Sequence, residues 1–429
     1  MKEINVTKNR ILVIGINCLP EQTGIGRYTG EMVNWFADNG YECNVVTGFP
    51  YYPQWKIQSP YDGKFYKKEI FKSGKLTLYR CPLYVPMMPN SINRLMHEAS
   101  FFLSAFFVIL KLLLKPGHQN IYCIAPPFHL GFLAVFYRFF KGGRIIYHMQ
   151  DLQIEAAREL KMLKSPVIFA FLFRMERYIL SKADYISTIS AGMIRKKEVK
   201  MNKIVSFFPN WVDTAKFHPI SDNRDLKLDW GFDREDKIVL YSGSVGEKQG
   251  LEALIDVSIR LKDYPHIKFI ICGTGPYKEK LQELFRKKEA KNVTFFPLQD
   301  IAVFNRFLNM VTVHLVIQKA GTSDLVMPSK LTTILASGGL ALVTAEKGSS
   351  LYDLIEKNDM GMVIPPENND ELYNAIVDSF TKDFSLQRTN GRAYAEKFLE
   401  GNAILNRVTC EWHSPDEIMA AELVLNNGW

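Results

Sequence analysis

Short, nearly continuous apolar runs alternate with helical segments along the whole chain. ILVIGI (Ile11–Ile16) is followed by a helical stretch through Met32 and Trp35, then by CNVVTGF (Cys43–Phe49). NIYCIAP, RIIYHMQD, ADYISTIS and KIVSFFPNWVD carry the rhythm to Asp213. The second half restarts with KIVLYSGSVG and continues through IKFIICGTG, NVTFFPL, VTVHLVIQ, LALVTAE and GMVIPP. Apolar runs without polar alternation, separated by helices, predict parallel strands covered on both faces. Each half opens with a buried strand that ends in a glycine loop. The polar, charged stretch from His218 to Asp236 lies between them. The pattern therefore predicts an α/β protein of two Rossmann-like domains facing across a cleft, residues 1–217 and 218–395, with a helical segment at 396–429. Ligands are expected beyond the carboxyl ends of the strands.

Ile92–Lys115 breaks the rhythm. Its uncharged core, Ala99–Leu110, is too short to span a bilayer. It offers Phe101, Phe102, Leu103, Phe106, Phe107 and Leu110 between the cations Arg94, Lys111 and Lys115. Ser165–Leu180 is similar. Each reads as a core helix or as a helix lying in a membrane interface. The two together, in a basic chain, favour a peripheral protein on an anionic, cytoplasmic membrane face.

The 429 residues are 47% hydrophobic and 23% charged, which excludes a disordered chain and allows two sizeable cores. A net charge of +8 points to acidic partners. No RNA-binding or zinc spacing is present, so nucleic acid is not an expected partner. Cys18, Cys43, Cys81, Cys123, Cys272 and Cys410 form no C-x-x-C pair and read as reduced core residues of a cytoplasmic protein. The opening MKEINVTKNRILVIGI has too short an apolar run for a signal peptide.

The first glycine loop, Pro20–Met32, fits neither common phosphate fingerprint. No Lys-Ser or Lys-Thr pair follows its glycines, and the spacing is G-x-G-x-x-x-G rather than G-x-G-x-x-G. Gly24 and Gly26 let backbone approach a ligand, and the following helix, near Arg27–Phe36, aims amide donors at that place. A plain strand-to-helix turn explains the same residues equally well.

TGIGRYTGEM, ADYISTIS, FFPNWVDTAKFHP, LYSGSVGEKQGLEALI, CGTGPYKEKL and MPSKLTTILASGG stand in the order of one family. Over nearly its whole length the chain resembles the retaining GT-B glycosyltransferases, family four. PYYPQW, RCPLYVP, GEKQGLE and PSKLT resemble the branch that builds colanic acid, where a fucosyltransferase is implied. The resemblance implies retaining transfer of a sugar, fucose from GDP-fucose in that branch, onto a lipid-linked saccharide during exopolysaccharide or capsule synthesis. The acceptor it implies is a saccharide on a polyprenyl diphosphate. It implies a C-terminal helix that crosses back to the first domain. No cofactor or metal is expected beyond the nucleotide sugar, and no D-x-D pattern appears.

By position in these motifs, Gly24, Gly26, Gly243, Ser244, Gly273, Gly275, Leu298, Asp324 and Thr333 are donor-binding candidates. Lys248 and Lys330 are the cations for the leaving diphosphate, where charge develops. Asp151, at the end of RIIYHMQ, is the candidate to orient the acceptor hydroxyl. Glu21, Arg27, Tyr28 and His148 are acceptor-side candidates, although a lone strand histidine is more often a core residue. The resemblance has departures. The family's glutamate pair falls on Thr333 and near Leu325, and its donor-loop arginine is Ser244. A GT-B-shaped epimerase and a nucleotide-binding scaffold without turnover are the competing readings. Donor hydrolysis separates the three.

Overall fold

The computed structural model describes residues 9–87, 91–159, 165–201, 203–223, 225–320 and 328–413. The chain divides into two compact units, one reaching Phe208 and including Val408 onward to the end of the last helix, the other running from Pro209 to Arg407.

Unit 1 holds an eight-stranded sheet: β1 (Arg10–Ile14), β2 (Glu42–Gly48), β3 (Lys67–Phe71), β4 (Leu76–Cys81), β5 (Asn120–Ala125), β6 (Arg144–Met149), β7 (Tyr185–Thr188) and β8 (Ser206–Phe207). The order is β3-β4-β2-β1-β5-β6-β7-β8. Every pairing is parallel except β3 with β4. Its helices are α1 (Gly24–Asp38), α2 (Ser91–Leu113), α3 (Gly131–Lys141), α4 (Gln153–Glu159), α5 (Pro166–Lys182) and α6 (Ala191–Met201). All six residues of β5 are buried, as a central strand covered on both faces requires. β3, KKEIF, is a charged edge strand, which guards an open edge against further pairing.

Unit 2 holds a six-stranded parallel sheet: β9 (Lys237–Ser242), β10 (Ile267–Cys272), β11 (Val293–Phe296), β12 (Val313–Val316), β13 (Ala341–Thr344) and β14 (Met362–Ile364). Its order, β11-β10-β9-β12-β13-β14, is that of a dinucleotide-binding sheet with the switch point between β9 and β12. The helices are α7 (Ala253–Arg260), α8 (Lys278–Lys287), α9 (Phe304–Asn309), α10 (Lys330–Ala336), α11 (Ser350–Lys357), α12 (Asn369–Thr381), α13 (Ser385–Phe398) and α14 (Gly401–His413). Two apolar clusters cover the sheet, one around Ile238, Leu240 and Ile270, the other around Val239, Tyr241 and Phe269. Alternate residues of β9 thus feed opposite faces.

The units divide at Phe208–Pro209, earlier than the junction expected at 217. Val212 N–H donates to Leu399 O (2.8 Å), Gly401 N–H donates to Val212 O (3.2 Å), and Val212 and Phe217 are core residues of unit 2. The far end of α14 belongs to unit 1, as expected of a helix that crosses back. There Trp412 packs on Phe36 and Tyr122, at 5.6 and 5.3 Å between ring centroids, and its carbonyl accepts from Arg144 Nη1 (2.7 Å).

α2 corrects the length argument made from the sequence. Ile92–Leu113 is long and apolar enough to cross a membrane, with mean hydropathy 1.6. One face of it is nevertheless core: Phe101, Ala105, Ile109 and Leu112 have no exposed surface. Phe101, expected to meet lipid, is therefore a packing residue. Leu103, Phe107, Leu110 and Leu114 lie exposed.

Candidate donor and acceptor sites

In unit 2 the loops after β9 and β10 press together. Gly243 N–H donates to Cys272 O (2.9 Å) and Val245 N–H to Thr274 O (3.0 Å). A Cβ on Gly273 would overlap Gly243 O, and one on Gly275 would overlap Val245 O. These two glycines were expected to receive the nucleoside. The room they leave is filled by the neighbouring loop's backbone, so they shape the loop.

Beneath that loop lies Lys330, the first residue of α10. A Cβ on Gly243 would stand 3.0 Å from its Nζ. The amine sits 3.5 Å from the centroid of the Tyr241 ring, whose hydroxyl donates to Ser244 O (2.6 Å). The stem of Lys330 keeps some exposure, but Nζ is buried with no hydrogen-bonding partner among the described residues. Burial lowers its pKa to about 7. An amine desolvated in this way takes up its charge fully when an anion arrives.

The other donor candidates divide. Ser244 is exposed on the same loop, and Leu298, just past β11, is 37% exposed. Thr333 is buried, and its hydroxyl donates to Lys330 O (2.9 Å) on its own helix, which leaves its oxygen as an acceptor. Asp324 lies outside the described residues, as does the side chain of Lys248, whose backbone sits in the turn Glu247–Gln249. A cavity of about 410 Å³ opens at the carboxyl ends of β12 and β13, lined by Gln249, Gly250, Ile317, Gln318, Lys319 and Thr344 among others. Lys330 and Gly243 do not line it.

In unit 1, α1 starts at Gly24, three residues before the expected start, so Gly24 and Gly26 form its first turn. Gly24 has φ +58°, and a Cβ on Gly26 would overlap the Glu21 carboxylate. Glu21 is buried and acts as a clamp. Its Oε1 accepts the N–H groups of Tyr51 and Tyr52, both at 3.0 Å, and its Oε2 accepts Asn17 Nδ2 (2.9 Å). Burial raises its pKa to about 7, with the three N–H donors pulling the other way. The buried Arg80 holds the same loop from β4, donating through Nη2 to Leu19 O (2.7 Å) and through Nε to Glu69 (2.6 Å). Glu21 thus ties the first loop to the aromatic loop after β2 and is not itself presented to an acceptor.

Three further acceptor candidates are placed. Tyr28 is a core residue. Arg27 pairs with Glu31 one turn along α1 (2.8 Å). His148 is buried, its Nδ1 lies 3.0 Å from Ser187 Oγ, and its ring packs on Phe208; burial lowers its pKa to about 3. His148 is therefore a neutral core histidine and not an acceptor ligand. Asp151 stands half-buried just past the end of β6, where the sequence placed it.

A group absent from the sequence expectations surrounds Tyr51. Its ring lies 4.5 Å from His97 and 5.4 Å from Trp55, and its phenol faces Asn17, Glu21 and Glu98. The Glu98 carboxylate accepts Gln153 Nε2 at 2.8 and 3.0 Å, and burial raises its pKa to about 7.

The profile of the glycosyl transferases group 1 matches residues 222–397, which covers most of unit 2. Over 413 residues, 93% of this chain and 98% of the other, the sequence is 39% identical to "Putative colanic acid biosynthesis glycosyl transferase WcaI" of Escherichia coli (strain K12). The chain belongs to the glycosyl transferases group 1. Sucrose-phosphate synthase from Thermosynechococcus elongatus superposes with a TM-score of 0.72 at 15% identity, covering 96% of this chain and 100% of that one. Anabaena HepE in complex with UDP gives 0.68 at 13%, covering 94% and 100%. Both parallel-sheet units of this group 1 glycosyltransferase thus make up a GT-B fold.

The sequence singled out Gly243, Gly273, Gly275 and Lys330, which the fold brings to the loops after β9 and β10, and it did not single out His97, Glu98 and Gln153. A signal was present: a His-Glu pair interrupts the apolar run of α2, and PYYPQW follows β2. Only the fold brings those two segments together.

Proposed function

We propose that this chain is a retaining glycosyltransferase that binds a nucleoside-diphosphate sugar on unit 2 and transfers the sugar to a saccharide carried on a polyprenyl diphosphate, in exopolysaccharide synthesis at an anionic membrane surface. The observation that carries the reading is the buried Nζ of Lys330 beneath the Gly243 loop, set against the Tyr241 ring and without a hydrogen-bonding partner among the described residues. A preorganised cation there stabilises the negative charge that collects on the departing diphosphate. Lys248, on the turn that follows the same strand, is the second cation of this reading. The C1–O bond to the diphosphate breaks, the acceptor oxygen bonds to C1 from the same face, and its proton passes to an oxygen of the leaving phosphate. Asp151 orients the acceptor hydroxyl. The colanic acid relative supports exopolysaccharide as the product class, and the UDP complex of HepE supports a nucleotide ligand. GDP-fucose is the donor implied by the colanic acid branch.

Membrane contact is supported by apolar side chains left exposed on three helices of unit 1: Leu103, Phe107 and Leu110 on α2, Phe139 and Phe140 on α3, and Phe171 on α5. Lys111 follows Leu110 on α2, and Lys141 follows Phe140 at the end of α3. Such a surface binds anionic lipid reversibly from the cytoplasmic face.

The test is a screen of GDP- and UDP-sugars by thermal shift, then NMR of the turnover product. Slow release of free sugar from one donor, with the anomeric configuration kept in the transferred product, is expected. An isomerised nucleotide sugar would make the protein an epimerase, and donor binding without any turnover would make it a scaffold.

A further inference from the structure

We propose that unit 1 carries a subsite for one neutral pyranose ring, built from Trp55, His97, Glu98 and Gln153. The proposal deepens the reading of unit 1 as the acceptor side and rests on it.

Trp55 supplies the platform. Its backbone is held at φ +53°, a region bulky residues avoid. Its ring centroid lies 5.4 Å from those of Tyr51 and His97, and the Arg94 guanidinium stands over one face of the ring, 5.4 Å from the centroid. The indole is fixed by these neighbours yet stays partly exposed. A rigid aromatic surface with polar groups at its margin suits the C–H face of a sugar ring.

His97 and Glu98 supply the polar margin. His97 is 2% exposed, and its Nδ1 meets Tyr84 O. Its Nε2 is buried with no partner among the described residues. The Nε2 of His129, beside the Glu98 backbone, is a second such atom. Buried polar atoms of this kind are normally satisfied, so each asks for a hydroxyl or a water. Glu98 accepts Gln153 Nε2, and Gln153 Oε1 accepts Phe128 N–H (3.1 Å). The carboxylate keeps lone pairs for two further donors, which neighbouring sugar hydroxyls provide.

Charge selects the occupant. Burial, with the charges of Glu21 and Glu98, pushes the Tyr51 phenol pKa up. With Arg94 over Trp55 and close enough to Glu98 to oppose the burial that raises its pKa, the margin carries donors and acceptors of both signs, which suits the hydroxyls of a neutral polyol.

The test uses the full chain and saturation-transfer NMR with methyl α- and β-glycosides of glucose, galactose and fucose, beside calorimetry with UDP and GDP. Wild-type protein is expected to saturate the ring protons of at least one glycoside. Trp55→Ala and Glu98→Ala should each weaken that glycoside's binding by about fivefold or more, while Trp55→Phe retains most of it. Binding of UDP or GDP should stay at the wild-type level in all three variants. No saturation of any glycoside overturns the proposal. So does wild-type glycoside binding in folded Trp55→Ala and Glu98→Ala, or displacement of the glycoside by inorganic phosphate. Loss of UDP and GDP binding in the wild type would instead sink the donor reading of unit 2 and leave the glycoside result standing.

Discussion

If Lys330 receives the donor diphosphate, binding must carry a proton with it. The empty site lowers the Lys330 amine from 10.5 to about 7 through burial alone. That shift corresponds to about 5 kcal/mol against charging the amine in the empty pocket. A diphosphate beside Nζ reverses this by giving the charge a partner. At pH 8 the free amine is about 90% neutral and the bound one charged, so donor binding should take up about 0.9 proton. The uptake should fall to about half at pH 7 and to about 0.1 at pH 6. Above pH 7 the donor Kd should rise about tenfold per pH unit, since only the protonated form binds well. The assay is calorimetry of a nucleotide sugar, without acceptor, in buffers of different ionisation enthalpy. A nucleotide sugar is preferred to free UDP or GDP because it lacks a terminal phosphate that titrates in this range. Lys330→Arg keeps a permanent charge, and its binding should be free of proton linkage across pH 6–8.5. Lys330→Met should bind at least about tenfold more weakly and also without linkage. Wild-type binding with no proton uptake at pH 8 would refute the reasoning, as would uptake that survives in Lys330→Met.

Three further outcomes follow from the geometry. Glu21 has a folded pKa of about 7 against an ordinary 4.5, so its contribution to stability is fully present below about pH 4.5 and is lost as pH rises to 7. The stability of wild type relative to Glu21→Gln, read from thermal unfolding of the two proteins side by side, should therefore fall by up to about 3 kcal/mol across that window. Gly273→Ala places a Cβ on Gly243 O; nucleotide binding measured by calorimetry should weaken by more than about tenfold, with the far-UV circular dichroism kept. In flotation with liposomes, binding should need anionic lipid and weaken with salt; replacing Leu103, Phe107 and Leu110 together by Ser should cost about 3 kcal/mol, over about a hundredfold in partitioning, whereas Phe101→Ser should lower the melting temperature instead.

Much of the fold was legible because parallel strands announce themselves. NIYCIA and IKFIIC are apolar without alternation, and both became interior strands. The β3–β4 hairpin was not legible. KKEIF has a charged, mostly exposed face, and β4 carries Arg80, whose burial makes sense only beside Glu69 and Leu19 O. At the candidate donor site, Lys330 was singled out by its place in MPSKL, and its burial beneath the Gly243 loop came only with the fold. The glycines were readable as positions but not in their role. Gly26 makes room for the Glu21 carboxylate and Gly273 for the Gly243 carbonyl. A glycine after a strand therefore signals close approach by some atom, and here that atom belongs to the protein. His148 illustrates the reverse case. Its place inside an apolar strand already argued for a core residue, and its contact with Ser187 bears that out.

The two unassigned features of unit 1 share one element, and that carries the synthesis further. α2 presents His97 and Glu98 near its start and Leu103, Phe107 and Leu110 further along. From Glu98 to Phe107 the helix rises by about 14 Å at 1.5 Å per residue. The polar headgroup layer on one side of a bilayer is about 5–8 Å thick. A helix whose apolar end reaches the acyl boundary would hold its Glu98 end just outside the headgroups. A sugar joined through a diphosphate to a polyprenyl chain has its diphosphate within that layer and its ring just beyond it. On the proposed membrane contact, the apolar stretch would then act as a ruler. One face packs in the core of unit 1, the exposed face would meet lipid, and its first turns would stand at the height where a lipid-linked saccharide emerges. On this argument the charge pattern is as informative as the hydropathy. On that proposal Glu98 would lie at the saccharide level, where hydroxyls can bond it, and Lys111, one turn past Phe107 on the same helix, would lie nearer the anionic headgroups.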